Sequence, residues 1–167
     1  SNFYVGRAEE PDPRILWVAD SSIGIINGFA VHPNGNVFAY RYNSIFEIDG
    51  ANGKILRSFV VPSESKDIES IDISEDGRYL ATSYNDVIIR DLTNEVSIKL
   101  AIGNLVTFVP NSTKIAYRAR GGGTKGHDSS IVILDIETGE RRYIKTEELI
   151  DKIAFSEASN PTFSSLF

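Results

Sequence analysis

The feature that most limits what this chain can fold into is an internal repeat of about 40 residues. One segment reads Phe29-Ala-Val-His-Pro-Asn-Gly-Asn-Val-Phe-Ala39, and a second reads Ile71-Asp-Ile-Ser-Glu-Asp-Gly-Arg-Tyr-Leu-Ala81. A third, Thr107-Phe-Val-Pro-Asn-Ser-Thr-Lys-Ile-Ala116, keeps the same order of apolar stretch, polar turn and apolar stretch ending on alanine. Each is followed by a further apolar stretch that closes on an aspartate and a turn: Ile45 to Asp49, Val87 to Asp91 and Ile131 to Asp135. Fourth apolar stretches then run over 54–61, 96–102 and 141–145, and Ile153-Ala-Phe-Ser opens the pattern once more.

The physical reading is four short antiparallel strands per unit. Val, Ile, Phe and Tyr suit a pleated, half-buried surface, and Asn-Gly, Asp-Gly and Thr-Gly suit turns that need positive φ. A single four-stranded sheet cannot bury both of its faces. Stacking one unit on the next solves this, and radial repetition of such sheets makes a propeller. The expected fold is therefore all-β: a β-propeller or partial propeller built from four-stranded antiparallel blades of about 40 residues. Ile133 is expected on a buried face. Thr146 to Ile153 has helical spacing at Leu149, Ile150 and Ile153, or else forms a loop leading into the fourth opening.

The openings at His32-Pro-Asn-Gly35 and Ser74-Glu-Asp-Gly77, with the closing Asp135-Ile-Glu-Thr-Gly139, resemble WD40-like β-propeller repeats over about residues 25 to 159. Ile48-Asp49, Arg90-Asp91 and Leu134-Asp135 stand where that family has Trp-Asp, and its Gly-His pair is missing. In this the chain is similar to the degenerate bacterial propellers, including those of exported or cell-surface proteins and of peptidase gating domains. The resemblance implies N-terminal strands over 1–24 that complete or precede a blade. It implies blades over 25–62, 63–103 and 104–147, and the opening of a further blade over 148–167. Three full units fall short of the four to eight blades that close a ring. The chain is accordingly expected to continue a longer propeller or to assemble as a homo-oligomer.

Composition narrows the function classes. With 17 basic and 23 acidic side chains the net charge is −6, which disfavours nucleic acid and anionic membrane as partners. No apolar run is long enough for a membrane span. There is no cysteine, so disulfides and thiolate metal sites are excluded. No catalytic residue, metal or cofactor is expected. His32 reads as a turn residue before Pro33. Gly121 to Gly126 matches a phosphate-loop spacing without the helix that would follow it. Ser63 and Lys66 match a short nucleophile pattern without support. Asp72, Ser74, Asp76 and Gly77 open like a calcium loop, but Ser83 stands where the closing glutamate belongs.

The third unit carries an insertion between Ala116 and Asp135, and the insertion is basic in an acidic chain. Arg118, Arg120, Lys125 and His127 are the candidate residues for contact with a protein partner, since loops on a rigid scaffold often carry binding groups. The expected function is a non-enzymatic protein-interaction scaffold presenting blade-end loops. The rival is the propeller portion of a larger enzyme, gating a peptidase or hydrolase domain outside this chain.

Overall fold

A computed structural model describes residues 21–62, 67–119, 130–145 and 152–155. The described residues are all-β, with one short 3₁₀ turn among them at Ser21–Ile23. Strands β1 (Gly28–Val31), β2 (Val37–Arg41), β3 (Ser44–Ile48) and β4 (Ile55–Val60) form an antiparallel sheet in chain order. Strands β5 (Ser70–Ile73), β6 (Tyr79–Ser83), β7 (Asp86–Asp91), β8 (Val96–Phe108), β9 (Lys114–Ala119), β10 (Ser130–Asp135) and β11 (Arg141–Lys145) form a second sheet, also in chain order. Thr146 to Asp151, most of the segment with helical spacing, lies outside the described residues.

The repeat maps onto this topology with one difference. Separate strands are expected for the end of the second unit and the start of the third. Instead β8 runs through both over 13 residues. Its first part pairs with β7 and its last part with β9. The change of partner occurs at a register irregularity between Asn104 and Thr107, where Leu105 takes a φ of 55°. Gly103 permits the crossing: a Cβ there would sit 2.6 Å from the Arg118 carbonyl oxygen, too close for any side chain.

The first strands of successive units lie side by side, β1 against β5 and β5 against the end of β8. Apolar layers fill the spaces between units. Phe38, Tyr40 and Ile45 of the first unit meet Ile73, Leu80 and Ile88 of the second. Ala81, Val87 and Ile89 of the second meet Phe108, Ile115, Tyr117, Val132 and Leu134 of the third. Ile133 alternates with its buried neighbours Val132 and Leu134 and is only partly buried, so the expectation for its face is corrected by one residue.

Another departure concerns β2. Leu80 and Ile115 both face the preceding unit, but their sequence equivalent Phe38 faces the following one. The cause is turn length. The first turn closes from the His32 amide to the Asn36 carbonyl, whereas the later two close from Ser74 to Tyr79 and from Val109 to Lys114. A turn shorter by one residue slips β2 by one position and inverts its side chains. The slip places two large rings, Phe38 and Tyr40, in the layer between the first two units.

Candidate functional site

The three aspartates that close each apolar stretch do structural work at one end of the sheets. Asp91 Oδ1 accepts from the amides of Thr93 at 2.8 Å and Asn94 at 3.0 Å, and Asp135 Oδ1 accepts from Glu137 at 3.0 Å and Thr138 at 3.1 Å. Asp49 Oδ1 accepts from the Ala51 amide at 2.7 Å. These are Asx turns, and they leave the aspartates occupied. Asp72 is likewise accounted for: its Oδ2 accepts from the Thr107 hydroxyl and the Phe108 amide, both at 2.7 Å. Ser74 and Asp76 bond to each other at 2.6 Å, and the Asp76 carboxyl is held below its usual range, mainly by that hydroxyl. The calcium-like spacing is thus an inter-unit bond followed by a turn. His32 spans the same end, its Nε2 bonding the Gly77 carbonyl at 2.9 Å. A cleft of about 350 Å³ opens here between the second and third units, floored by Tyr79, Phe108 and Ile136. Among the described residues no three His, Cys, Asp or Glu side chains converge as a metal site.

The opposite end carries the turns between second and third strands, where the basic insertion begins. Arg120, Lys125 and His127 lie outside the described residues. Arg118 is described, near the end of β9. Its Nε donates to Asn104 Oδ1 at 2.8 Å, and Asn104 Nδ2 donates to Glu69 Oε2 at 2.9 Å. The Tyr40 hydroxyl donates to the Glu69 backbone carbonyl at 2.9 Å. Burial, and then the Glu69 carboxylate, push the Tyr40 hydroxyl above its usual range. Asn104 is fully buried. One chain of hydrogen bonds therefore crosses from the first unit through the second to the base of the insertion in the third.

The matching turns of the other two units hold a repeated Tyr-Asn pair, Tyr42-Asn43 and Tyr84-Asn85, each beginning three residues past the alanine. Their carbonyls accept the backbone of the segment that leaves each fourth strand: Val61 N to Asn43 O at 2.9 Å, Ile68 N to Tyr42 O at 2.8 Å, and Gly103 N to Asn85 O at 2.8 Å. Tyr42 is 57% exposed and Tyr84 37%. The Arg41 guanidinium lies 5.3 Å from the Tyr42 ring centroid. Exposed tyrosines thus stand at the same end as Arg118. The repeat signals them in sequence, but only the fold shows that they share an end with Arg118.

Comparison with solved structures identifies the architecture. The β-propeller domain of Cps50 (Swd1) from Myceliophteria thermophila aligns over 75% of this chain and 40% of its own, with TM-score 0.54 and 18% identity. A chain of the Mitotic Checkpoint Complex aligns over 80% of this chain and 42% of its own, with TM-score 0.63 and 17% identity. No family model matches the sequence, and no curated protein does. The fold is a WD40-like β-propeller in part: the chain spans about two fifths of the structures it matches.

Proposed function

We propose that this chain is a non-enzymatic protein-interaction scaffold that presents the turns between second and third strands to a protein partner. The observation that carries the reading is the hydrogen-bonded line Tyr40–Glu69–Asn104–Arg118, which ties the base of the basic insertion to all three units. A base fixed at Arg118 lowers the ordering cost of a contact made beside it. In this reading Arg118 anchors the loop, and Arg120, Lys125 and His127 meet an acidic surface on the partner, flanked by Tyr42 and Tyr84. Tyrosine and arginine are the residue types that most often dominate interfaces. One of the solved structures with this fold is a chain of a multiprotein assembly, the Mitotic Checkpoint Complex, which fits an interaction role.

The test is capture from a host extract by the immobilised chain, compared with the triple variant Arg120→Ala, Lys125→Ala, His127→Ala. A genuine partner falls at least about tenfold in the variant while the melting temperature stays within about 1 °C. Equal recovery by both proteins refutes the loop as the contact. In the rival reading, the propeller portion of a larger enzyme, the natural gene product carries a peptidase or hydrolase domain on the same chain.

A further inference from the structure

The two joints between units differ at the end that carries the Asx turns. In the first joint the His32 ring stands between the units. Its Nε2 donates to the Gly77 carbonyl at 2.9 Å, its Nδ1 accepts from the Asn34 amide at 3.1 Å, and its centroid lies 5.9 Å from that of Phe38. In the second joint Ser74 holds the place of His32 in the repeat, and Ser112 holds the place of Gly77. The Ser74 hydroxyl turns back on its own unit, donating to Asp76 at 2.6 Å and accepting from the Tyr79 amide at 2.8 Å. Ser74 and Ser112 both line the cleft of about 350 Å³, and every residue lining it is among the described ones. A cleft of this volume is within the range of ligand sites.

An apolar floor meets a negative rim here. Besides Tyr79, Phe108 and Ile136, the cleft is lined by four charged side chains, Glu75, Asp76, Arg78 and Glu137. Arg78 is already paired: its Nε and Nη2 both donate to Asp91 Oδ2, at 3.2 and 3.1 Å. Glu75, Asp76 and Glu137 form no ion pair among the described residues, and all three are exposed. The charge that complements this rim is positive. A guanidinium also suits the floor, because it is planar, weakly hydrated, stacks on rings and bonds carboxylates in a fork. The first joint holds such a group, the Arg90 guanidinium 4.3 Å from the Phe59 ring centroid.

We propose that this cleft takes an arginine side chain of a partner protein, its guanidinium held by the carboxylates of Glu75 and Glu137 above Phe108 and Ile136. The arginine supplies in the second joint the planar N–H donor that His32 supplies in the first. The site lies at the opposite end of the sheets from Arg118 and does not depend on a contact at the basic insertion.

The experiment is a chemical-shift titration of the full, nitrogen-15-labelled chain with the tripeptide acetyl-Gly-Arg-Gly-amide. Saturable shifts are expected at the amides of Arg78, Asn111, Thr113 and Glu137, which line the cleft. The same tripeptide with citrulline in place of arginine keeps the shape and loses the charge, and should bind at least about tenfold more weakly. The double variant Glu75→Gln, Glu137→Gln keeps an acceptor for the Asn111 amide. It should weaken the arginine peptide at least about fivefold with an unchanged circular dichroism spectrum. Free arginine carries a carboxylate that the rim repels, and should bind more weakly than the peptide. Shifts that do not saturate, or that scatter away from the cleft, overturn the proposal. Equal binding of the citrulline peptide overturns it, and so does equal binding by the double variant. Tighter binding of free arginine also overturns it and assigns the cleft to an amino acid. The probe has no acidic side chain, so its failure leaves the reading of the basic insertion as it stands.

Discussion

Asp72 reaches from β5 to the backbone amide of Phe108 at 2.7 Å, so a carboxylate on the first strand of the second unit holds the first strand of the third. The same oxygen accepts from the Thr107 hydroxyl. Charge-assisted bonds to a backbone amide are stronger than neutral ones.

Asp72→Ala removes the acceptor from both donors and is expected to cost about 1–3 kcal/mol. Asp72→Asn keeps one acceptor oxygen and is expected to lose less. Urea unfolding of the two variants checks the order. An alanine variant as stable as wild type would show that the inter-unit bond contributes nothing.

Asp91 gives the chain a defined acid response. Its carboxyl is lowered from 3.8 to about 2, first by the Asn94 amide and then by the Thr93 amide, Arg78 and the Asn94 side chain. A depressed folded-state pKa means that the unfolded chain takes up the proton first. The stabilisation is therefore complete above about pH 4 and is lost as the pH falls toward 2. Melting temperature measured from pH 5 to pH 2 should fall less steeply in Asp91→Asn than in wild type. Identical slopes would remove Asp91 from the account.

Asn104 joins Glu69 to Arg118 at a fully buried position. Asn104→Ala strips both partners and opens a small void, at an expected cost of about 1–3 kcal/mol. Because the network holds Arg118, hydrogen exchange at Arg118 and Ala119 of β9 should also quicken. A destabilised variant with unchanged exchange there would separate the network from that strand end.

Adjacent residues of β10 should respond very differently to charge. Val132 is buried in the layer between the second and third units, while Ile133 borders the open cleft. Val132→Asp is expected to cost about 4 kcal/mol or more, since an unpaired charge would enter an apolar layer, and Ile133→Asp about 1–2 kcal/mol. Thermal unfolding separates the two, and the reverse order would mean that the sheet faces are exchanged.

Much of this architecture is legible in the sequence, for reasons that particular residues show. Asp49, Asp91 and Asp135 recur because each closes the same Asx turn, a local requirement that leaves a fixed letter. Facing is less visible. Ala39 and Ala81 look equivalent, yet a turn shorter by one residue points them in opposite directions relative to the following unit. The continuity of β8 is hidden too, because the repeat ends one stretch at Ile102 and opens the next at Thr107, although one strand runs through both with a register irregularity between Asn104 and Thr107. At the candidate site the basic insertion stands out by composition. The line that anchors it joins Tyr40, Glu69, Asn104 and Arg118, which lie far apart in the chain and come together only through the stacking of units.

The central claim is that successive units stand with their first strands side by side. Since the chain has no native cysteine, a single engineered pair tests it cleanly. The double variant Asp72→Cys, Thr107→Cys places one thiol on each strand at positions whose native side chains are hydrogen-bonded to each other. Under mild oxidation, with the products resolved by intact and peptide mass spectrometry, an intramolecular disulfide between positions 72 and 107 should form in most molecules. Thiols that stay free in a folded chain would contradict the radial arrangement.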